Sequence, residues 1–117
     1  MIDLTEKGQR HEYMVKRLRM LIAFQVRLLR IQRGWTQAQL AEKCGTKQPA
    51  IADIENWDKE FPLLSTLKKL AEVFDCGLIV RFEGWEEIVE SIVPEGKAEF
   101  EHEESHHGAL RPYAGDA

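Results

Sequence analysis

A mainly α-helical bundle, with a single β-strand near residue 80, is the fold class that this sequence predicts. Three observations carry the prediction. Apolar residues recur at spacings of three and four from Val15 to Phe74. Two short helical patterns meet at Cys44-Gly45, a glycine corner. The period then changes at Leu78-Ile79-Val80-Arg81-Phe82, a β-branched and aromatic run. With 117 residues, 44% of them apolar, the chain supports one modest core with appendages.

Residues 1–9 are polar and are expected to fray. From Arg10 to Arg33 the pattern is helical, with one stripe through Val15, Leu18, Ile22, Val26 and Leu29 and another through Leu21, Phe24, Leu28 and Ile31. Arg17, Arg19, Arg27 and Arg30 fill the gaps. Two stripes exceed what one small core needs and point to burial on two sides. Gly34 ends this helix. Thr36 is a good N-cap for a second helix, Gln37 to Lys43, closed by Cys44-Gly45. A third helix runs from Gln48 to Glu55, with Pro49 in the first turn, where its missing N–H costs nothing. Thr46 or Lys47 must cap it, and lysine caps poorly. Asn56 to Leu64 reads as a loop, with Trp57 and Phe61 expected to fold back onto the core. Ser65 is the expected cap of a fourth helix that ends at Phe74, its Leu67, Leu70, Ala71 and Phe74 facing inward.

The run Leu78–Phe82 has no partner strand within an otherwise helical chain unless another chain supplies one, and pairing with a second copy across a twofold axis would satisfy its edge. Trp85, Ile88, Val89 and Ile92 then mark a short amphipathic helix that stops at Pro94. The organisation expected from these patterns is a flexible N-terminus (1–9), a helical domain with its strand (10–82), a short helix (83–94) and an acidic disordered tail (95–117).

Charge is divided along the chain. Between Val15 and Phe82 twelve Lys and Arg face seven Asp and Glu, a net of +5, whereas Glu83 to Ala117 carries a net of −8. A basic middle with an acidic tail is an asymmetry that accompanies nucleic-acid binding. Cys44 and Cys76 form neither a disulfide framework nor a CxxC motif, and both sit where an aliphatic side chain would pack, as reduced thiols do. No signal peptide is evident, and the apolar run Met20 to Phe24 is too short for a bilayer. The expected location is cytoplasmic, with no membrane partner.

A short helix, a glycine corner and a second short helix make up the helix-turn-helix pattern, whose second helix enters the DNA major groove. Residues 22–78 resemble the XRE-type, lambda-repressor-like regulators. The resemblance rests on Gln37-Ala38-Gln39-Leu40-Ala41-Glu42-Lys43, Gly45-Thr46, Gln48, Ala50-Ile51, Ile54-Glu55-Asn56 and Thr66-Leu67-Lys68-Lys69-Leu70-Ala71. The continuation Phe74 to Phe82 departs from the usual fifth helix and looks like the subset, including some antitoxins, in which a strand replaces it. This departure favours a homodimer joined through Leu78, Ile79, Val80, Arg81 and Phe82.

The resemblance implies that Thr36 and Gln37 hold a phosphate, and a helix N-terminus suits an anion. It implies that Gln48 reads a base edge; glutamine pairs bidentately with adenine N6 and N7. Pro49 is limited to apolar contact, Ala50 permits close approach, and Asp53 either accepts from cytosine N4 or pairs with a nearby cation. Lys47, Asn56 and Lys59 are expected phosphate contacts. Arg30 and Glu55 match a partly buried ion pair that sets the angle of the recognition helix.

The expected function is a dimeric, sequence-specific DNA-binding regulator, a repressor acting on a pseudo-palindromic double-stranded operator. The alternative is an antitoxin that autoregulates through the same motif and wraps a basic protein toxin with its acidic tail. An enzyme is not expected, since no serine, cysteine or carboxylate pair has a catalytic setting. The cluster His102, Glu103, Glu104, His106 and His107 lies in the tail without a rigid second shell, so no metal or cofactor is implied.

Overall fold

Five helices occupy the described part of the chain, residues 2–92, in the computed structural model. The first, α1 (Lys7–Gln32), starts earlier than the expected Arg10. The reason is Glu6, whose carboxylate accepts from the Gln9 backbone N–H at 2.8 Å and places a negative charge at the positive end of the helix. Arg33 is the C-cap of α1, and Gly34 follows with φ 73°, the left-handed conformation that terminates helices.

Thr36 caps α2 (Gln37–Cys44) as expected, and Gln39 answers it: the Thr36 hydroxyl accepts from Gln39 N, while the Gln39 side chain accepts from Thr36 N. Gly45 closes α2 at φ 74°. α3 (Gln48–Ile54) follows after two residues, with Lys47 as an N-cap that supplies no side-chain hydrogen bond and Pro49 in the first turn. α4 (Leu64–Phe74) begins from Leu63 rather than Ser65. Pro62 holds Phe61 away from helical geometry, and the Leu63 carbonyl takes the first helical bonds from Thr66 and Leu67, which leaves Ser65 inside the first turn. α5 (Trp85–Ile92) lies further along.

The chain divides between Cys76 and Gly77 into two compact units. The first holds α1–α4. Its core joins Val26 of α1, Leu40 and Ala41 of α2, Ile51 and Ile54 of α3, and Leu70 and Phe74 of α4. Leu40 and Ile51 are the largest side chains removed fully from water, each worth about 1.5–3 kcal/mol of apolar burial. Trp35 stacks on Phe74 with ring centroids 6.1 Å apart, the Arg33 guanidinium lies 5.2 Å from the Phe74 ring, and Lys43 Nζ lies 4.6 Å from the Trp35 ring. This cluster ties the end of α1 to α2 and α4.

Three expectations are corrected. The described residues contain no strand, and Leu78–Phe82 has no regular secondary structure. Among the described residues no second strand pairs with this β-prone run, and without a ladder β-propensity alone does not make a strand. α1 is covered on one side rather than two: Ala23 and Val26 are buried, whereas Phe24, Leu28 and Ile31 are more than half exposed. Trp57 and Phe61 do not fold back but stand exposed. The inward side of their loop is already taken by its own backbone carbonyls, which converge on Arg19.

The second unit contains, among the described residues, α5 and an ion pair in which Arg81 Nε donates to Glu83 at 2.9 Å. Pro94, the acidic segment 95–117 and its His102–His107 cluster lie outside the described residues. No described helix is long and apolar enough to cross a membrane.

Candidate nucleic-acid interface

The outward surface of α2 and α3 is set by a chain of polar contacts that starts in the interior. Arg30 on α1 donates to both oxygens of Glu55, from Nε to Oε2 at 2.6 Å and from Nη2 to Oε1 at 3.0 Å. Its remaining Nη1 donates to the Trp35 carbonyl at 2.9 Å. The Glu55 side chain retains only 3% of its exposure, and the Arg30 side chain 12%. The hydrogen bonds with Glu55 raise the Arg30 pKa, so the guanidinium stays charged. The expected Arg30–Glu55 pair is therefore present, bidentate and largely withdrawn from water.

From Glu55 the chain continues outward. Gln37 Nε2 donates to Glu55 Oε1 at 3.0 Å, and Gln48 Nε2 donates to Gln37 Oε1 at 2.8 Å. An ionised carboxylate can only accept, so the Gln37 amide must turn its nitrogen inward and its oxygen toward Gln48. Gln48 must then offer a nitrogen, and its oxygen and second N–H are left for another partner. Those two groups are the pair that matches the Hoogsteen edge of adenine.

The remaining expected contacts sit around this chain. Thr36, Lys47, Gln48, Pro49 and Ala50 are exposed along the N-terminal ends of α2 and α3, while Gln37 is half-buried by its two hydrogen bonds. The capping box uses the N–H groups of Thr36 and Gln39. It leaves Gln37 and Ala38 as the first-turn N–H groups that neither capping bond takes, which refines where an anion would sit. Asp53 is exposed and faces Lys59, with Nζ–Oδ1 4.0 Å, a solvated pair of little energy. Asn56 accepts from Asp58 N at 2.9 Å and so shapes the loop that carries Lys59.

Two arginines were not recognised from the sequence. Arg19 is buried, at 4% exposure, and donates to the carbonyls of Asp53, Ile54, Asn56, Lys59 and Glu60 at 2.9–3.1 Å. Desolvation lowers its pKa, although a guanidinium remains charged in water. Arg33 donates to the Phe74 carbonyl at 2.6 Å, at the end of α4. A signal for Arg19 existed: it shares a helical face with Ala23, Val26 and Arg30, at spacings of four, three and four.

Known proteins are similar to this chain over the segment that carries most of these features. Residues 26–80 match the helix-turn-helix family. Antitoxin HipB of Escherichia coli strain K12 is 35% identical over 57 residues, which span 49% of this chain and 64% of that protein. Antitoxin HipB of E. coli O6:H1 strain CFT073 is 49% identical over 57 residues, spanning 49% of this chain and 60% of that one. A Neisseria meningitidis serogroup B protein described as a hypothetical transcription factor is 34% identical over 56 residues, spanning 46% of this chain and 50% of that one. The matched segment thus covers half to just under two thirds of each of these relatives. A solved HipA-HipB-O2-O3 complex contains a chain 30% identical, with TM-score 0.48, covering 56% of this chain and 92% of that one.

Proposed function

Since this chain belongs, through residues 26–80, to the XRE-type helix-turn-helix proteins, we propose that it is a DNA-binding transcriptional repressor. It acts as a homodimer on a pseudo-palindromic double-stranded operator. The observation that supports this most is the polar chain Arg30–Glu55–Gln37–Gln48, which ends in an outward amide of fixed polarity at the start of α3. Gln48 reads a base edge, Pro49 and Ala50 allow close approach, and Lys47, Asn56 and Lys59 meet phosphates together with the N-terminus of α2. Affinity comes mainly from the phosphate contacts, because Pro49, Ala50 and Asp53 bring few base-reading donors.

The two copies meet through Leu78, Ile79, Val80, Arg81 and Phe82. Their exposure supports this assignment, with Ile79 at 61%, Val80 at 70% and Phe82 fully exposed. Half-sites then lie about 34 Å apart on one face of the duplex. A gel-shift and footprint on the promoter region of the protein's own gene tests the proposal. Protection of two half-sites is expected. An unprotected promoter, or unchanged binding after Gln37→Ala and Gln48→Ala together, rejects it.

A second reading is favoured by the relatives named as antitoxins. In it the protein also neutralises a basic protein toxin, through the acidic tail of residues 95–117, part of a stretch from Glu83 onward with a net charge of −8. Co-expression with the product of an adjacent reading frame, followed by purification on a tag placed on this chain, examines it. Retention of that product by the full chain and its loss on deletion of residues 95–117 is the expected outcome.

A further inference from the structure

Arg19 stands outside the segment that matches the family, residues 26–80, yet its partners all lie inside that segment. Its guanidinium is buried without a carboxylate. Nη1 donates to the Ile54 carbonyl at 3.0 Å, and Nη2 donates to Asp53 and Asn56 at 2.9 Å each. Nε is shared between Lys59 at 3.0 Å and Glu60 at 3.1 Å. Asp53 and Ile54 are the last residues of α3, where the carbonyls carry the negative end of the helix dipole; that of Asp53 also accepts from Asn56 N at 3.2 Å. The other three carbonyls belong to the loop that follows. One rigid fork therefore joins the end of the recognition helix to residues 56, 59 and 60 of the loop that presents Asn56 and Lys59.

We infer that Arg19 is a positioning residue for DNA binding: by holding the backbone of residues 56–60, it places the Lys59 ammonium and the Asn56 side chain against phosphates. The inference rests on the DNA-binding reading above. It assigns the N-terminal half of α1 a role in the affinity of a surface to which it contributes no contact of its own. Lysine does not substitute, because an ammonium presents three donors from one point and cannot span five carbonyls spread across two segments.

The test is a double-mutant cycle between Arg19→Lys and Lys59→Ala, read as the salt dependence of operator binding by the full chain. In the wild-type background, Lys59→Ala is expected to reduce the slope of log K against log salt by about 0.9, the share of one phosphate contact. In the Arg19→Lys background that contact is already lost, so adding Lys59→Ala leaves the slope unchanged. Amide exchange over residues 56–60 is expected to accelerate in Arg19→Lys at a temperature where its circular dichroism is native. Additive slopes, or loop amides as protected as in wild type, overturn the assignment while leaving the DNA-binding reading intact. A wild-type chain that binds no DNA overturns both. If Arg19→Lys does not fold, Arg19→Gln with Lys59→Ala is measured in the same cycle, with the same criteria.

Discussion

Gln48 Nε2 donates to Gln37 Oε1 at 2.8 Å, and the direction of that bond is inherited from a carboxylate two residues along the polar chain. Glu55 accepts, Gln37 must donate to it, and Gln48 must donate to Gln37. Replacing Glu55 with Gln adds a donor and removes this constraint. The Glu55→Gln variant is expected to lose discrimination at the base read by Gln48, a matter of about 1–3 kcal/mol. Titrations of the operator and of a version substituted at that base would then give nearly equal affinities. Equal discrimination by variant and wild type would show that the amide polarity has another source.

The same ion pair contributes to stability. Glu55→Ala leaves the Arg30 guanidinium without its carboxylate in a site that is largely dry. Breaking a buried pair by removing one partner costs about 3–5 kcal/mol. Urea denaturation followed by circular dichroism should show a loss in that range, discounted toward its lower end because Arg30 keeps the Trp35 carbonyl. A loss under about 1 kcal/mol, the range of an exposed pair, would place Glu55 in solvent instead.

At Gly45 the cost of a side chain is purely conformational. Its φ is +74°, and an added Cβ would meet nothing within 4 Å. Gly45→Ala is therefore expected to destabilise by about 1 kcal/mol, the left-handed penalty of about 1–2 kcal/mol less the gain from a stiffer unfolded chain. Thermal unfolding reads the difference directly. A variant as stable as wild type would mean that the α2–α3 corner relaxes into another geometry.

Leu40 is fully buried among α1, α3 and α4. Truncation to alanine removes apolar burial and leaves a cavity, together worth about 2–5 kcal/mol. In a domain of this size such a loss is a large fraction of total stability. The midpoint of chemical denaturation should fall strongly with no change in slope.

Burial raises the pKa of the Cys44 thiol from its ordinary 9.0, and the positive charge of Lys69 opposes this in part. Less thiolate is then present at neutral pH, and thiolate is the reactive species. With an aromatic disulfide reagent near neutral pH, Cys44 should react more slowly in the native protein than after unfolding. The sign of the linkage follows: the proton is held more tightly in the folded state, so this contribution to stability is complete below pH 9.0 and is lost as pH rises through the raised value. Cys44→Ser must remove the slow phase if that phase belongs to Cys44.

The helical elements were legible because local chemistry carries them. Apolar spacing marks α1 to α5, the Thr36 hydroxyl and the Gln39 amide mark the start of α2, and a glycine free to take positive φ marks its end. Arg30 and Glu55 were legible through their match to the family pattern. Leu78–Phe82 is β-prone yet forms no strand, because β-propensity describes a willingness to pair and the described residues supply no second strand. Arg19 is hard to read from sequence because a charge on a helix reads as solvated, and its partners leave no trace in side-chain identity: they are main-chain carbonyls, 34–41 positions away. By itself, the sequence determined which segments are helices and which side chains face outward from the motif. Only the tertiary structure decided which arginine is buried and which way each amide of the Gln37–Gln48 pair points, since desolvation and hydrogen-bond polarity arise when distant segments meet.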